Sequence, residues 1–551
     1  MRTPILISAV AMLTACATTQ PHIEHNTSVS PVTASLFNET QFRKDIKVLS
    51  SDEFEGRAPA TEGGKKTIAY LTQSFKDMGL VGANNGSYLQ AVPMVSYTTN
   101  EDTAKVTLGN MLLTYRKDVV VNTRINEKHI SIKNAPLVFV GYGINAPEHH
   151  WNDYAGLDMK GKVAVIMVND PGFARPTAGV FDGKAMTYYG RWDYKFIEAS
   201  KQGAIGAIII HDTEPASYPW SVVENSWTGA QQDLVQQTTT DKNNVKVEGW
   251  ITNTFAQKLF KKSKLNLAKL MKQAALKPTH INLNQSASFE LDNSIDYADS
   301  YNVVATLPGT SQKDEQLLFV AHWDHIGKDE TKTGDQIYNG ALDNASGTAG
   351  IMEIARIFAQ KAANGEKLAR SLTFVAATGE EQGLLGSRYY AEHPISPLDK
   401  TVAVFNLDST NIYGKTKDYT IVGKGKSQLE NYLADAAKKQ NRTVKSEKYP
   451  EAGGFFRSDH FSFAKYGVPA VFAGGGSEPI DDATAQYKKK MQQIRRGCYH
   501  SVCDEYREDW NLDGAIQDLA IYADAARVLG NSKDWPGYFK GTEFYLLRPA
   551  K

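Results

Sequence analysis

The chain has 551 residues, and its 61 lysines and arginines match 61 aspartates and glutamates, so it carries no formal net charge at neutral pH. That balance argues against a nucleic-acid partner, which calls for a basic excess. With 42% apolar and 22% charged residues the composition is globular, neither disordered nor that of a polytopic membrane chain. Three cysteines exclude a disulfide-dense scaffold and any four-cysteine zinc module, so metal chemistry must rest on histidines and carboxylates.

Arg2 precedes an apolar run from Pro4 to Met12 and then Leu13-Thr14-Ala15-Cys16, after which the sequence turns polar. The run is shorter than the roughly 20 apolar residues that a membrane span needs, and it reads as an export signal. Two cleavage patterns fit: an ordinary secretory signal cut near Ala15 and Ala17, or a bacterial lipoprotein signal whose lipobox Leu-Thr-Ala-Cys resembles. The second is preferred. It makes residues 1–15 a signal peptide and Cys16 a lipid anchor, the chain's one membrane contact, at the outer membrane or in the periplasm. Residues 16–34, rich in Thr, Ser and Pro, read as a flexible tether.

The spacing of Phe42, Ile46 and Leu49, and then of Ile68, Leu71 and Phe75, predicts two helices joined by a polar turn over 51–64. Between Tyr97 and Asp296 short β-rich runs dominate, at Ala135–Val140, Lys162–Val168, Ala204–Ile210 and Val245–Ile251. This stretch reads as a β-rich module, 97–297, inserted between two parts of another domain, 35–96 and 298–535, with 536–551 as a C-terminal tail. From Asn302 onward strand candidates (Leu317–Ala321, Leu372–Ala376, Val402–Leu407, Pro469–Ala473) alternate with helix candidates. Among the latter, Ser346–Gln360 places Ile351, Ile354, Ala355 and Phe358 on one face, with Asn344 or Ser346 as its cap. Such alternation predicts an α/β layered domain with a largely parallel sheet, whose active residues gather beyond the carboxyl ends of the strands.

Ligand-type residues sit at those ends. His322-Trp323-Asp324-His325 follows the first strand, and residues two apart in extended chain share a face, so Asp324 can orient His322 for a metal. Asp343 stands just before a helix start, where capping explains Asn344 and Ser346 but gives Asp343 no task. Glu380 and Glu381 end the next strand, where adjacent carboxylates repel unless a cation lies between them. Asp408 ends a third strand, and Tyr499-His500 lies between Cys498 and Cys503. Mixed imidazole and carboxylate chemistry of this kind suits zinc.

The order of these motifs resembles that of the co-catalytic zinc aminopeptidases and glutamate carboxypeptidases, a family that includes the non-enzymatic transferrin receptors. His-x-Asp, Asn-Gly-x-x-Asp-Asn-x-Ser-Gly, Gly-Glu-Glu-x-Gly-Leu-Leu-Gly-Ser, Asn-Leu-Asp and Tyr-His-Ser-x-x-Asp all occur in family order. The segment from Leu49 to Glu55-Gly56-Arg57 resembles the start of the peptidase domain. Phe139 to Ile144 and Gly161-Lys162-Val163 resemble parts of the family's protease-associated domain. The resemblance implies a zinc-exopeptidase α/β/α sandwich with a mixed, largely parallel sheet, and two Zn²⁺ per chain. Asp343 would bridge the metals, His322 and Asp408 would complete one site, and Glu381 and His500 the other. Catalytic roles would fall to Glu380 as general base, Asp324 as orienter of His322 and Tyr499 as oxyanion donor. His460, in Ser458-Asp459-His460, is passed over as a ligand in favour of His500 on motif context.

The implied function is hydrolysis of N-terminal residues from peptides by a water held between the metals. The alternatives are a carboxypeptidase or dipeptidase, for which Arg457, Arg495 and Arg496 could clamp a carboxylate, and a non-catalytic binding protein, against which the intact ligand set and Glu380 argue. Phe455 and Phe456 could line a subsite, although core packing is the commoner fate of such residues. With Cys16 lipidated and the chain exported, Cys498 and Cys503 are expected to form a disulfide. The only partners implied are peptides; the oligomeric state is left open.

Overall fold

The computed structural model describes residues 29–235 and 244–548. The signal segment and Cys16 lie outside them. No helix among the described residues is long and apolar enough to cross a membrane.

The central sheet runs in the order Thr443–Ser446, Asp418–Val422, Ala470–Gly474, Thr401–Asn406, Gln312–His322, Arg370–Ala377 and the end of the long strand Ile281–Leu307. Gln312–His322 lies parallel to both neighbours, whereas the contacts at Val303–Leu307 and at Asp418–Val422 with Ala470–Gly474 are antiparallel; the sheet is therefore mixed and largely parallel. Its central strands are buried on both faces, as helix-covered strands must be, whereas the edge strand Thr443–Ser446 is polar and partly exposed. Leu317, Phe319 and Ala321 point into the larger core, with helices Ser346–Ala363 and Asp513–Gly530. Leu318 and Val320 point the other way, towards Tyr390 and Phe463 of helices Leu385–Glu392 and His460–Ala464. Phe319 sits at the centre, its ring 5.3 Å from Phe374 and 5.1 Å from Phe405. The result is an α/β/α sandwich.

A second sheet occupies the middle of the chain. Gly206–His211 pairs in parallel with Val163–Met167 and Val247–Thr252, and the first half of Ile281–Leu307 pairs with His129–Phe139 and Lys105–Leu108. It has its own apolar clusters on its two faces, around Val165 and Ile208 and around Ile166 and Ile209. The two sheets are joined by a ribbon in which Leu89–Thr99 runs antiparallel to Asn293–Val303. Expected boundaries near 97 and 297 fall inside this ribbon, because the extended pattern continues through them.

Two expectations at the ends need correction. Residues 29–34, read as part of a tether, are docked: Val29 and Val32 are buried in the main core, and the Val29 carbonyl accepts from Arg527 Nη1 at 3.0 Å. The two valines supply apolar anchors within a Ser/Thr/Pro-rich stretch. Likewise the tail is packed as far as Arg548, with Tyr538 and Phe544 buried beside Phe455 and Phe461.

Candidate active site

Three parallel strands deliver ligand-type side chains to one place. His322 is the last residue of its strand, Glu380 and Glu381 follow Arg370–Ala377, and Asp408 follows Thr401–Asn406. Asp343 arrives on the turn before helix Ser346–Ala363. Asn344 caps that helix, its Oδ1 accepting from Gly347 N at 2.9 Å and also from Ser409 N at 2.9 Å, which ties the helix start to the Asp408 loop. The turn needs Gly340 at φ +54°, where a Cβ would lie 2.6 Å from the His325 ring.

Two overlapping groups result. His322 Nε2 lies 3.4 Å from Asp343 Oδ1 and 3.4 Å from Asp408 Oδ1, with Glu380 Oε2 at 3.9 Å. Glu381 anchors the second: its Oε2 is 2.9 Å from His500 Nε2 and its Oε1 2.6 Å from His325 Nδ1, while His500 Nε2 is also 3.3 Å from Asp343 Oδ2. Asp343 thus contributes one oxygen to each group. His325 is the residue that sequence reasoning missed. It stands in the His-Trp-Asp-His run but three residues from His322, off the shared face, so only the turn after the strand brings it to Glu381. With Asp343 and Glu381 it forms a triad whose candidate ligand atoms all lie within 4.8 Å of one another.

The site's electrostatics follow from this crowding. Burial alone would lower the His500 pKa, but hydrogen bonds to Asp343 and Glu381 raise it to about 10. Burial raises Glu380 well above the usual carboxylate range, with Asp408 and Glu381 adding to the effect. Asp324, fully buried, is pushed up to about 7 by the same cause. Its carboxylate accepts from Glu380 N at 3.2 Å, and it is the backbone carbonyl of Asp324 that faces His322 Nδ1, at 3.2 Å, with the carboxylate 4.0 Å away. Asp324 therefore braces both residues. Two adjacent carboxylates, two more from neighbouring loops and three imidazoles fit divalent cations, and hard oxygens mixed with imidazole nitrogens fit zinc.

Supporting contacts reach far along the chain. Arg57 is buried and donates to the carbonyls of Trp323, Asn339 and Gly340 at 2.8, 2.6 and 2.9 Å, which explains Glu55-Gly56-Arg57. Asp504 accepts from Leu342 N and Asp343 N, both at 3.0 Å, and pairs with Arg495 Nη2 at 2.7 Å. The Cys498–Cys503 disulfide is formed and brackets Tyr499 and His500. Tyr499 is 76% exposed and stacks on His500 at 3.9 Å. His460 is buried between Phe455 and Phe472, and joins no metal-type group among the described residues. Phe455 and Phe456 are core residues rather than subsite walls, both packed with Phe461 and Phe544.

Fold and site together define an α/β domain whose strand ends carry overlapping groups of side chains that could hold metal ions. Residues 302–523 match the model of peptidase family M28. The chain is similar to a probable zinc metalloprotease of Pyricularia oryzae, with 36% identity over 264 residues that cover 42% of this chain and 50% of that protein. To aminopeptidase Y of Saccharomyces cerevisiae the identity is 24% over 258 residues, 44% of this chain and 43% of the relative. The chain thus spans about half the length of these relatives. Among solved structures, an aminopeptidase from Aneurinibacillus sp. strain AM-1 aligns over 94% of this chain and 98% of its own, with 19% identity and a TM-score of 0.47.

Proposed function

We propose that the chain is a zinc-dependent aminopeptidase releasing single residues from the amino ends of peptides. The observation that carries this reading is the paired ligand groups sharing Asp343, with the Glu380 carboxylate at their edge, 3.9 Å from His322 Nε2. His322, Asp343 and Asp408 would hold one zinc, and Asp343, Glu381 and His500, with His325 beside them, the other; bound there, zinc supplies Lewis acidity and makes water nucleophilic near neutral pH. Glu380 takes the proton from the attacking water and passes it to the leaving amine. Asp324 holds the backbone of Glu380 in place, and the Tyr499 hydroxyl donates to the oxygen that gains charge as the carbonyl is attacked. Acidic groups around the cluster attract the substrate ammonium.

The inserted sheet is read as a protease-associated module, supported by its Phe139–Ile144 and Gly161–Val163 motifs, and the chain as an exported protein anchored through Cys16, supported by the lipobox resemblance. Leucyl dipeptides with a free carboxylate and either a free or an acetylated amine test the reaction. Blocking the amine is expected to abolish turnover; unchanged kcat/KM on the blocked substrate would instead favour an enzyme that reads the carboxyl end.

A further inference from the structure

Residues 378–384, between the strand Arg370–Ala377 and the helix Leu385–Glu392, form the turn that carries Glu380 and Glu381. The first amides of the helix close this turn. Gly383 N and Leu384 N donate to the Glu380 carbonyl, both at 2.9 Å, Leu385 N to that of Gly379 at 2.8 Å and Gly386 N to that of Thr378 at 2.7 Å. A shift of the helix is therefore a shift of both carboxylates.

The ribbon that joins the two sheets grips turn and helix together. Asn302, fully buried in the long strand Ile281–Leu307, spans the two ends of the turn: its Oδ1 accepts from Thr378 N at 3.0 Å and its Nδ2 donates to the Gly386 carbonyl at 2.9 Å. Asn302 Nδ2 also donates to Gln90 Oε1 at 3.0 Å, and Gln90 Nε2 donates to the His393 carbonyl, just past the helix, at 2.8 Å. The fit leaves no slack. A Cβ at Gly386 would stand 2.3 Å from Asn302 Oδ1, and one at Gly379 would stand 3.3 Å from the Met94 methyl of strand Leu89–Thr99.

An ion-pair network adds a second hold. Strand Ala230–Leu234 runs antiparallel to Leu89–Thr99 and presents Asp233, whose Oδ1 accepts from Arg388 Nη2 of the helix at 2.9 Å. Asp233 Oδ2 lies 3.5 Å from Arg124 Nη1, and Arg124 Nε lies 2.7 Å from Glu248 Oε1 of the second sheet. Burial would raise the Asp233 pKa, yet the guanidiniums of Arg388 and Arg124 hold it below the usual carboxylate range. Two cations and two anions thus balance in a desolvated place, and removing one leaves another uncompensated.

We propose that Asn302 and the Asp233–Arg388 pair are positioning residues, through which the ribbon and the inserted sheet hold the glutamate turn in place against the rest of the cluster. This rests on the peptidase reading above and gives the inserted sheet a part in it: the clamp keeps Glu380 and Glu381 where His322, His325 and His500 meet them.

Hydrogen exchange of the full-length, metal-free protein, followed by mass spectrometry on fragments covering 378–386, reads the clamp directly. Arg388→Gln removes the charged donor, and Asn302→Asp keeps the acceptor but loses the amide donor. In each, exchange over 378–386 should quicken by about 10- to 100-fold while helix Ser346–Ala363 exchanges as before. Arg388 is 28% exposed, so Arg388→Gln carries the test should Asn302→Asp not fold. With zinc saturating, kcat of the same variants on Leu-Ala should fall about tenfold or more with KM within about twofold, since small misplacements of a reacting group are costly. Ile208→Val, which loosens the core of the second sheet away from the clamp, should lower Tm and leave kcat unaltered. Unchanged exchange over 378–386 in Arg388→Gln would overturn the clamp, and faster exchange with unchanged kcat would reduce it to a stabilising contact and overturn the positioning role. No turnover of Leu-Ala by the unaltered protein would instead remove the peptidase reading, and the exchange rates would still decide whether the ribbon holds the turn.

Discussion

Glu380 and Glu381 are neighbours in sequence with divergent tasks: Glu381 is spanned by His325 and His500, whereas Glu380 reaches no nearer than 3.9 Å to His322. Replacing Glu380 by Gln should therefore leave zinc bound while kcat falls by about 10²- to 10⁴-fold, the usual cost of losing a general base. Metal analysis alongside steady-state kinetics separates the two effects, and near-normal turnover would remove Glu380 from the mechanism. His500→Ala and His325→Ala should each lower zinc content, while His460→Ala, in its phenylalanine pocket, should leave it near that of the unaltered protein. Four of the five ligand-type positions, His322, Asp343, Glu381 and Asp408, were legible because each follows or ends a strand or precedes a helix, whereas His500, in the disulfide loop, was legible only through its Tyr-His motif. His325 and Arg57 were not legible as site residues. Their contacts depend on turns whose path only the tertiary structure sets, and an arginine bonded to four carbonyls has no sequence pattern of its own.

At the scale of elements, the loop from Arg495 to Asp504 is held at three points: the disulfide, the Arg495–Asp504 ion pair, and the two amides of Leu342 and Asp343 that Asp504 accepts. The loop thus fixes His500 and the turn bearing Asp343 to each other, so both sides of the shared ligand depend on one carboxylate. Asp504→Asn keeps the size but offers one acceptor oxygen for two amides, and an unmet buried amide costs about 1–3 kcal/mol. The expected result is zinc affinity weakened by about tenfold or more, read by competition with a chelator, with the fold retained by circular dichroism. Unchanged affinity would mean that the turn holds Asp343 unaided. Periodicity predicted the elements themselves well: the helices were expected around Phe42–Leu49, Ile68–Phe75 and Ser346–Gln360 and occur at Glu39–Leu49, Glu62–Asp77 and Ser346–Ala363. It could not predict the 27-residue strand Ile281–Leu307, since one strand that serves two sheets changes its buried face along the way.

Among the described residues the two sheets carry separate apolar clusters, and the metal-type groups all lie at the sheet that holds His322. In the α/β core the metal-type groups bring together the ends of three strands, the turn at Asp343 and the disulfide loop, while Asp343, Glu380, Glu381 and Asp408 repel one another wherever no cation offsets them. The second sheet has its own clusters around Val165 and Ile166 and contributes none of these groups. An ion bound at 100 times its Kd stabilises the folded state by about 2.7 kcal/mol, which for a unit of 150–250 residues corresponds to about 5–10 °C in Tm. Scanning calorimetry of the full chain should accordingly resolve two transitions, with a chelator lowering the one that zinc, and about two equivalents of it, restores. The other transition should not move. If chelation shifts both together, the ribbon and the packing of the Tyr188 ring on Phe456 and Phe461 couple the bodies into one cooperative unit; if it shifts neither, the cluster holds no metal strongly enough to matter to the fold, and the two-zinc assignment fails with it.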